Sequence, residues 1–158
     1  MAREAMHGIV VGVDGSDGSR RALEWAADEA RRRGTPLTVV YAWHPSVAVY
    51  AGSGWTAVDE SLFEDLLRAA RERLDHACAQ VAPALEGLDV EVKVIEGATA
   101  PALMDEASDA EMLVVGTRGH GGFAGLLLGS VSAQCAHHCS CPLVIVPSPH
   151  GRAPEETD

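Results

Sequence analysis

Lysine is almost missing from this chain of 158 residues: the single one, Lys93, lies in a stretch that alternates like a strand. A phosphate-binding loop of the Gly-Lys-Ser/Thr type therefore has no lysine to use, and that mechanism is excluded. Long apolar runs are missing too. The stretch from Gly8 to Val13 stops at Asp14, far short of the roughly 18 residues that cross a bilayer, and no signal-peptide cleavage pattern follows it. The expectation is a cytoplasmic protein without a membrane partner. No Gly-x-Ser-x-Gly elbow occurs and nothing marks a Ser-His-Asp relay, so nucleophilic hydrolysis has no evident machinery.

Positive charge is scarce as well. Twelve Lys and Arg face 23 Asp and Glu, for a formal charge of −11, which repels nucleic acid phosphates and anionic membranes over most of the surface. Nucleic acid is therefore not expected as a partner. The acidic residues are unevenly placed: none occurs between Glu111 and Glu155, whereas Arg118 and Arg152 fall inside that gap. An anionic ligand has one region it can favour. Cys78, Cys135, Cys139 and Cys141 are read as thiols, because a cytoplasmic chain has no compartment that oxidises them.

The apolar pattern calls for one α/β domain over residues 1–147, followed by a disordered polar tail over 148–158. Ile9 to Val13 is a short β-branched run ended by Asp14-Gly15-Ser16, which reads as a buried strand followed by a helix start. Ala22, Leu23, Ala26, Ala27 and Ala30 then recur at helical spacing up to Gly34, as on an amphipathic helix. Leu37 to Trp43 is a second strand, and His44 to Glu60 a long loop. A longer helix carries Leu62, Leu66, Leu67, Ala70, Leu74, Ala77, Cys78 and Val81 until Pro83 and Gly87 end it. Val90, Val92 and Val94 alternate with charges as on an edge strand. Thr99 is placed to cap the next helix, Met112 to Gly116 is the fourth strand, Ser130 can open a further helix, and Leu143 to Val146 is the fifth strand. Five strands and four helical segments make a parallel sheet covered on both faces.

Ligands of such sheets bind beyond the carboxyl ends of the strands. There, Gly116-Thr117-Arg118-Gly119-His120-Gly121-Gly122 directly follows the fourth strand. Glycines admit backbone N–H groups close to an anion, and Gly129-Ser130 opens a helix whose positive end favours phosphate. Taken alone, the loop is equally a connection that needs glycine to turn. Likewise Asp14 is either a ligand contact or the cap of the first helix, and His120 either a proton donor or simply exposed. Gly119-His120-Gly121-Gly122-Phe123-Ala124 fits the loose dinucleotide pattern but has no acidic residue about 20 positions later, so we set that match aside.

Gly116-x2-Gly119-x9-Gly129-Ser130 reproduces the G-x2-G-x9-G-S/T signature of ATP-binding universal stress proteins, and the chain resembles that family from His7 to about Pro147. Val11-Gly12-Val13-Asp14-Gly15-Ser16, Val39 to Trp43, Glu96-Gly97, Val114-Val115-Gly116 and Pro142 to Val146 match in family order. The resemblance implies a strand order of 3-2-1-4-5, the adenine-nucleotide α-hydrolase-like arrangement, with ATP across the ends of strands one, two and four. It further implies that Asp14 serves the ribose, phosphate and divalent metal end, as Mg²⁺ with the nucleotide, and that the Ala42 backbone faces adenine while Gly12 and Val13 line the site. Gly116, Thr117, Arg118, Gly119, His120, Gly121 and Gly122 would wrap the triphosphate, with Gly129, Ser130 and Val131 at the helix start.

No dedicated base accompanies Asp14, which favours binding over turnover. The expected function is an ATP-dependent stress regulator with an unidentified protein partner and little or no hydrolysis. The alternative is an enzyme of the adenine-nucleotide hydrolase-like group, and a stress-protein dimer that binds nothing is a third reading. The apolar fifth strand would pair with its copy in a homodimer. Cys135, His138, Cys139 and Cys141 form a dense cluster, with zinc and buried thiols as its two readings; because Pro142 turns the chain into a strand and carries Cys141 away, thiols are the expectation.

Overall fold

A computed structural model describes residues 8–44, 60–117 and 128–148. The glycine-loop residues Arg118, Gly119, His120, Gly121 and Gly122, most of the His44 to Glu60 loop and the tail beyond Ser148 lie outside them. Five parallel strands, β1 (Ile9–Gly12), β2 (Leu37–Trp43), β3 (Val90–Glu96), β4 (Met112–Gly116) and β5 (Leu143–Val146), form one sheet in the order β3-β2-β1-β4-β5. This is the order implied by the resemblance, and β3 is an edge strand, as its alternation predicts. Register is fixed by pairs such as Val11 with Val39 and with Val114.

The helices are α1 (Asp17–Arg33), α2 (Glu60–Gln80), the four-residue α3 (Ala82–Leu85), α4 (Thr99–Glu106) and α5 (Ser130–His138). On one face of the sheet, Ile9, Val11, Val39 and Val114 pack against Ala22, Leu23, Ala26, Ala27 and Ala30 of α1 and Ala70, Leu74 and Ala77 of α2. On the other, Val10, Val40, Leu113 and Val115 meet Ala100, Leu103 and Ala107 at α4 and Cys135 of α5. The alanine-rich face of α1 lets the helix lie close to the strands. Leu23 is its one large, fully buried side chain, and truncating such a leucine costs about 2–5 kcal/mol. Gly34 ends α1 in the left-handed region at φ 63°, its N–H bonded to the carbonyls of Ala30 and Arg31, as a glycine does best.

Three local readings need correction. Pro83 does not stop α2: the chain leaves α2 after Gln80, and Pro83 sits in the first turn of α3, where its missing N–H costs nothing. The described residues therefore hold one helical segment more than the four expected. The N-cap of α4 is Ala98, not Thr99, and no side chain bonds the first-turn amides. On α2, Leu62 is exposed although it shares the apolar spacing, because burial along that face begins only at Ala70.

Candidate functional site

In this strand order the switch of direction falls between β1 and β4, and the residues that leave those adjacent strands lie side by side, where sheets of this kind open a crevice for ligands. Asp14 leaves β1. Its backbone follows Val13, whose N–H continues the ladder by donating to the Val40 carbonyl at 2.9 Å. The carboxylate is oriented rather than free to swing: Asp14 Oδ1 accepts from the Ser16 backbone N–H at 2.9 Å and from the Ser16 hydroxyl. Ser16, not Asp14, is the cap of α1, its Oγ accepting from Ser19 N–H at 3.2 Å. Asp14 thus holds the turn before α1, as an Asp ahead of Gly-Ser can, and is not itself the N-cap. Ser19, nearly buried, closes the loop by accepting from Asp14 N–H at 3.2 Å and donating to the Ser16 carbonyl at 3.0 Å.

Gly116 and Thr117 leave β4 beside it. A methyl group at Gly116 would stand 3.0 Å from the carbonyl carbon and oxygen of Gly18, so this glycine allows the start of α1 to approach the end of β4. Gly12 has a similar reason to be small, since a methyl there would lie 2.6 Å from Leu103 Cδ1. For both glycines, packing of helix on sheet is sufficient cause.

Thr117 holds the two ends of the glycine loop together. Its carbonyl accepts from Gly129 N–H at 2.7 Å and from the Ser132 hydroxyl at 2.8 Å, while its own N–H donates to the Val146 carbonyl at 3.1 Å. The Thr117 hydroxyl accepts from Ser148 N–H at 3.2 Å, so Ser148 is anchored and the expected tail cannot begin before residue 149. The loop thus leaves and re-enters at one point, and the first turn of α5 starts there. Gly129 is the N-cap, with no side-chain bond to the helix amides; the hydroxyl of Ser130, expected either to cap or to meet phosphate, does not cap. Helix amides without a side-chain acceptor among the described residues, at the positive end of the helix dipole, suit an anion.

Of the expected site residues, Gly12, Val13 and Asp14 converge with Gly116 and Thr117 at the ends of β1 and β4, joined through Thr117 to Gly129, Ser130 and Val131 at the start of α5. Ala42 lies at the end of β2, paired with Ile95. Sequence reasoning placed Ser16 at the start of the helix, as found, but missed Ser19 and Ser132. Ser19 had a signal in Asp-Gly-Ser-x-x-Ser, the spacing of a local serine cap; Ser132 had none. A separate cavity of about 330 Å³ lies at the end of β3, lined among others by Glu96, Asp105 and Glu106. Its acidic wall repels phosphate and sets it apart from the crevice.

Comparison with known proteins follows the same lines. The model of the Universal stress protein family matches residues 6–147. A universal stress protein of Mycolicibacterium smegmatis is 34% identical over 140 residues, which cover 89% of this chain and 48% of that protein. The chain spans about half the length of the curated relatives it matches. Among solved structures, a universal stress protein in complex with cAMP is 31% identical, with a TM-score of 0.65 over 90% of this chain and 98% of that one. The universal stress protein from Archaeoglobus fulgidus in complex with dAMP is 28% identical, with a TM-score of 0.63 over 90% and 98%. Among the described residues, no helix is long and apolar enough to cross a membrane.

Proposed function

The chain belongs to the universal stress protein family, and from that premise we propose that it binds ATP together with Mg²⁺ and serves in the cytoplasm as a nucleotide-dependent regulator in the stress response. The observation that carries the reading is the closure of the glycine loop on Thr117, which sets the α5 amides, uncapped by any side chain among the described residues, beside the strand that adjoins Asp14. Such amides fit phosphate oxygens, and a carboxylate held by Ser16 fits the metal and ribose end of a nucleotide. The cAMP and dAMP complexes of similar proteins support an adenine nucleotide; the spacing Gly116-x2-Gly119-x9-Gly129-Ser130 supports the triphosphate.

In this reading the chain's own groups bind and orient. Asp14 and the α5 amides hold opposite charges of a metal–nucleotide pair, and Arg118 adds a cation to the loop. The nucleotide supplies the signal: its presence or absence decides which protein partner is engaged. Two copies would join along β5.

Calorimetry on the wild type should give micromolar affinity for ATP with Mg²⁺, about −8 kcal/mol. Gly129 has an extended backbone at φ −74°, so alanine is tolerated there by the backbone, and lost affinity in Gly129→Ala reports a methyl in the way of phosphate. Gly119→Ala should behave alike, while Asp14→Ala should weaken binding less and reduce its dependence on Mg²⁺. The reading fails if the wild type does not bind, or if the folded glycine variants bind as tightly. Turnover of 1 s⁻¹ or above, an ordinary enzymatic rate, would favour the hydrolase-like alternative.

A further inference from the structure

The cysteine cluster remains outside the nucleotide site. α5 ends at His138; the Cys139 N–H still donates to the Cys135 carbonyl at 2.9 Å, and the Cys139 ψ of 135° then turns the chain out of the helix. Among the described residues, no three His, Cys, Asp or Glu groups are arranged to hold a metal ion. What the turn does produce is a pair. The sulfurs of Cys139 and Cys141 lie 3.4 Å apart, with exposed Ser140 between them and exposed Pro142 after them. Both cysteines are half-buried, whereas Cys135 is sealed beneath α5.

We propose that Cys139 and Cys141 form a reactive dithiol site that a small-molecule disulfide of the glutathione class oxidises to an intramolecular disulfide. One thiolate attacks a sulfur of the external disulfide, whose S–S bond breaks and releases a small thiolate that takes up a proton. The second cysteine, as thiolate, then attacks the protein-bound sulfur and displaces the other small thiol. Two electrons and two protons pass from the dithiol to the external disulfide, and two small thiols leave.

The geometry favours the second step. A sulfur already 3.4 Å away has only to close to about 2.05 Å, so displacement within the chain outruns attack by a further small thiol. One residue between the cysteines makes a short, strained ring, the kind of disulfide that exchanges readily and is not a fixed brace. Burial and the hydrogen bond with Cys139 push the Cys141 thiol up to about 11, so alkaline pH, by forming its thiolate, should favour the reaction. The site stands at the carboxyl end of α5, nine residues or about 13 Å from its amino end, and directly before β5.

The experiment uses the full chain, oxidised glutathione, intact mass and peptide mapping without reduction, with circular dichroism on every variant. The wild type should lose two hydrogens, retain no glutathione, show a Cys139–Cys141 linkage and return to the dithiol with dithiothreitol. Cys139→Ser and Cys141→Ser should each hold one glutathione, and Cys135→Ser should behave as the wild type. The proposal is overturned if the wild type accumulates glutathione adducts, fails to react, or forms its disulfide through Cys135 or Cys78. Mapping of the wild type decides the matter even if a serine variant does not fold.

Discussion

The buried hydroxyl of Ser132 donates to the carbonyl of Thr117 at 2.8 Å, and so fastens the first turn of α5 to the residue that leaves β4. A second acceptor, the Gly129 carbonyl at 3.1 Å, shares the same hydroxyl. Ser132→Ala removes this tie and leaves the Thr117 carbonyl with the Gly129 N–H alone. A stability loss of about 1 kcal/mol is expected, with a several-fold loss of nucleotide affinity because the amides of α5 are no longer held in place. Thermal unfolding and calorimetry on one preparation test both. Unchanged affinity would reduce Ser132 to a structural bond.

Gly116→Ala and Gly12→Ala should act on the fold itself. The new methyl meets the Gly18 backbone in the first case and the buried Leu103 side chain in the second. Overpacking of this kind costs about 1–3 kcal/mol. Denaturant midpoints should fall for both, and a midpoint at the wild-type value would mean that the helices can retreat from the sheet.

Alkaline pH should loosen the structure through Cys135. Burial, followed by the nearby Cys139 charge, pushes its thiol up to about 11, whereas an unfolded cysteine ionises near 8.5, about pH 8.5. The native state keeps a proton that the unfolded state releases, so this contribution is complete below about pH 8.5 and is lost as pH rises toward 11. Thermal unfolding of the wild type should shift down across that window by more than that of Cys135→Ala. Parallel curves would remove Cys135 as the cause.

The free edge of the sheet gives a fourth test. Leu143, Val144 and Ile145 of β5 are only half-buried, and an apolar edge invites pairing with another strand. Acidic residues at Val144 and Ile145 should convert a dimer to monomers in sedimentation velocity. A dimer that survives both changes would place the contact elsewhere.

Much of this fold is legible in the sequence because it is periodic. The alanines of α1 and the β-branched runs of the strands repeat at the spacing of their elements; the runs of α1, β1, β2 and β4 proved to be core, while β3 and β5 are only partly buried. Leu62 shows the limit: spacing reveals a face, but not where along a helix the sheet stops covering it. Asp14 and Gly129 were visible as turn and helix-start residues. Ser132 was not, since a single hydroxyl acquires its role only when residues 15 positions apart are brought together.

Lys93 gives the molecule one side-chain amine in an arginine-rich chain. Its ammonium bonds Glu106 at 2.6 Å and faces Glu91 at 3.6 Å, tying edge strand β3 to the end of α4. Amine-directed reagents thus have a single internal address, one that lies on the wall of the protein away from the sheet's other edge. A fluorophore attached there would report on α4 without touching β5, and its acylation, by removing the charge, would set Glu106 loose from the strand.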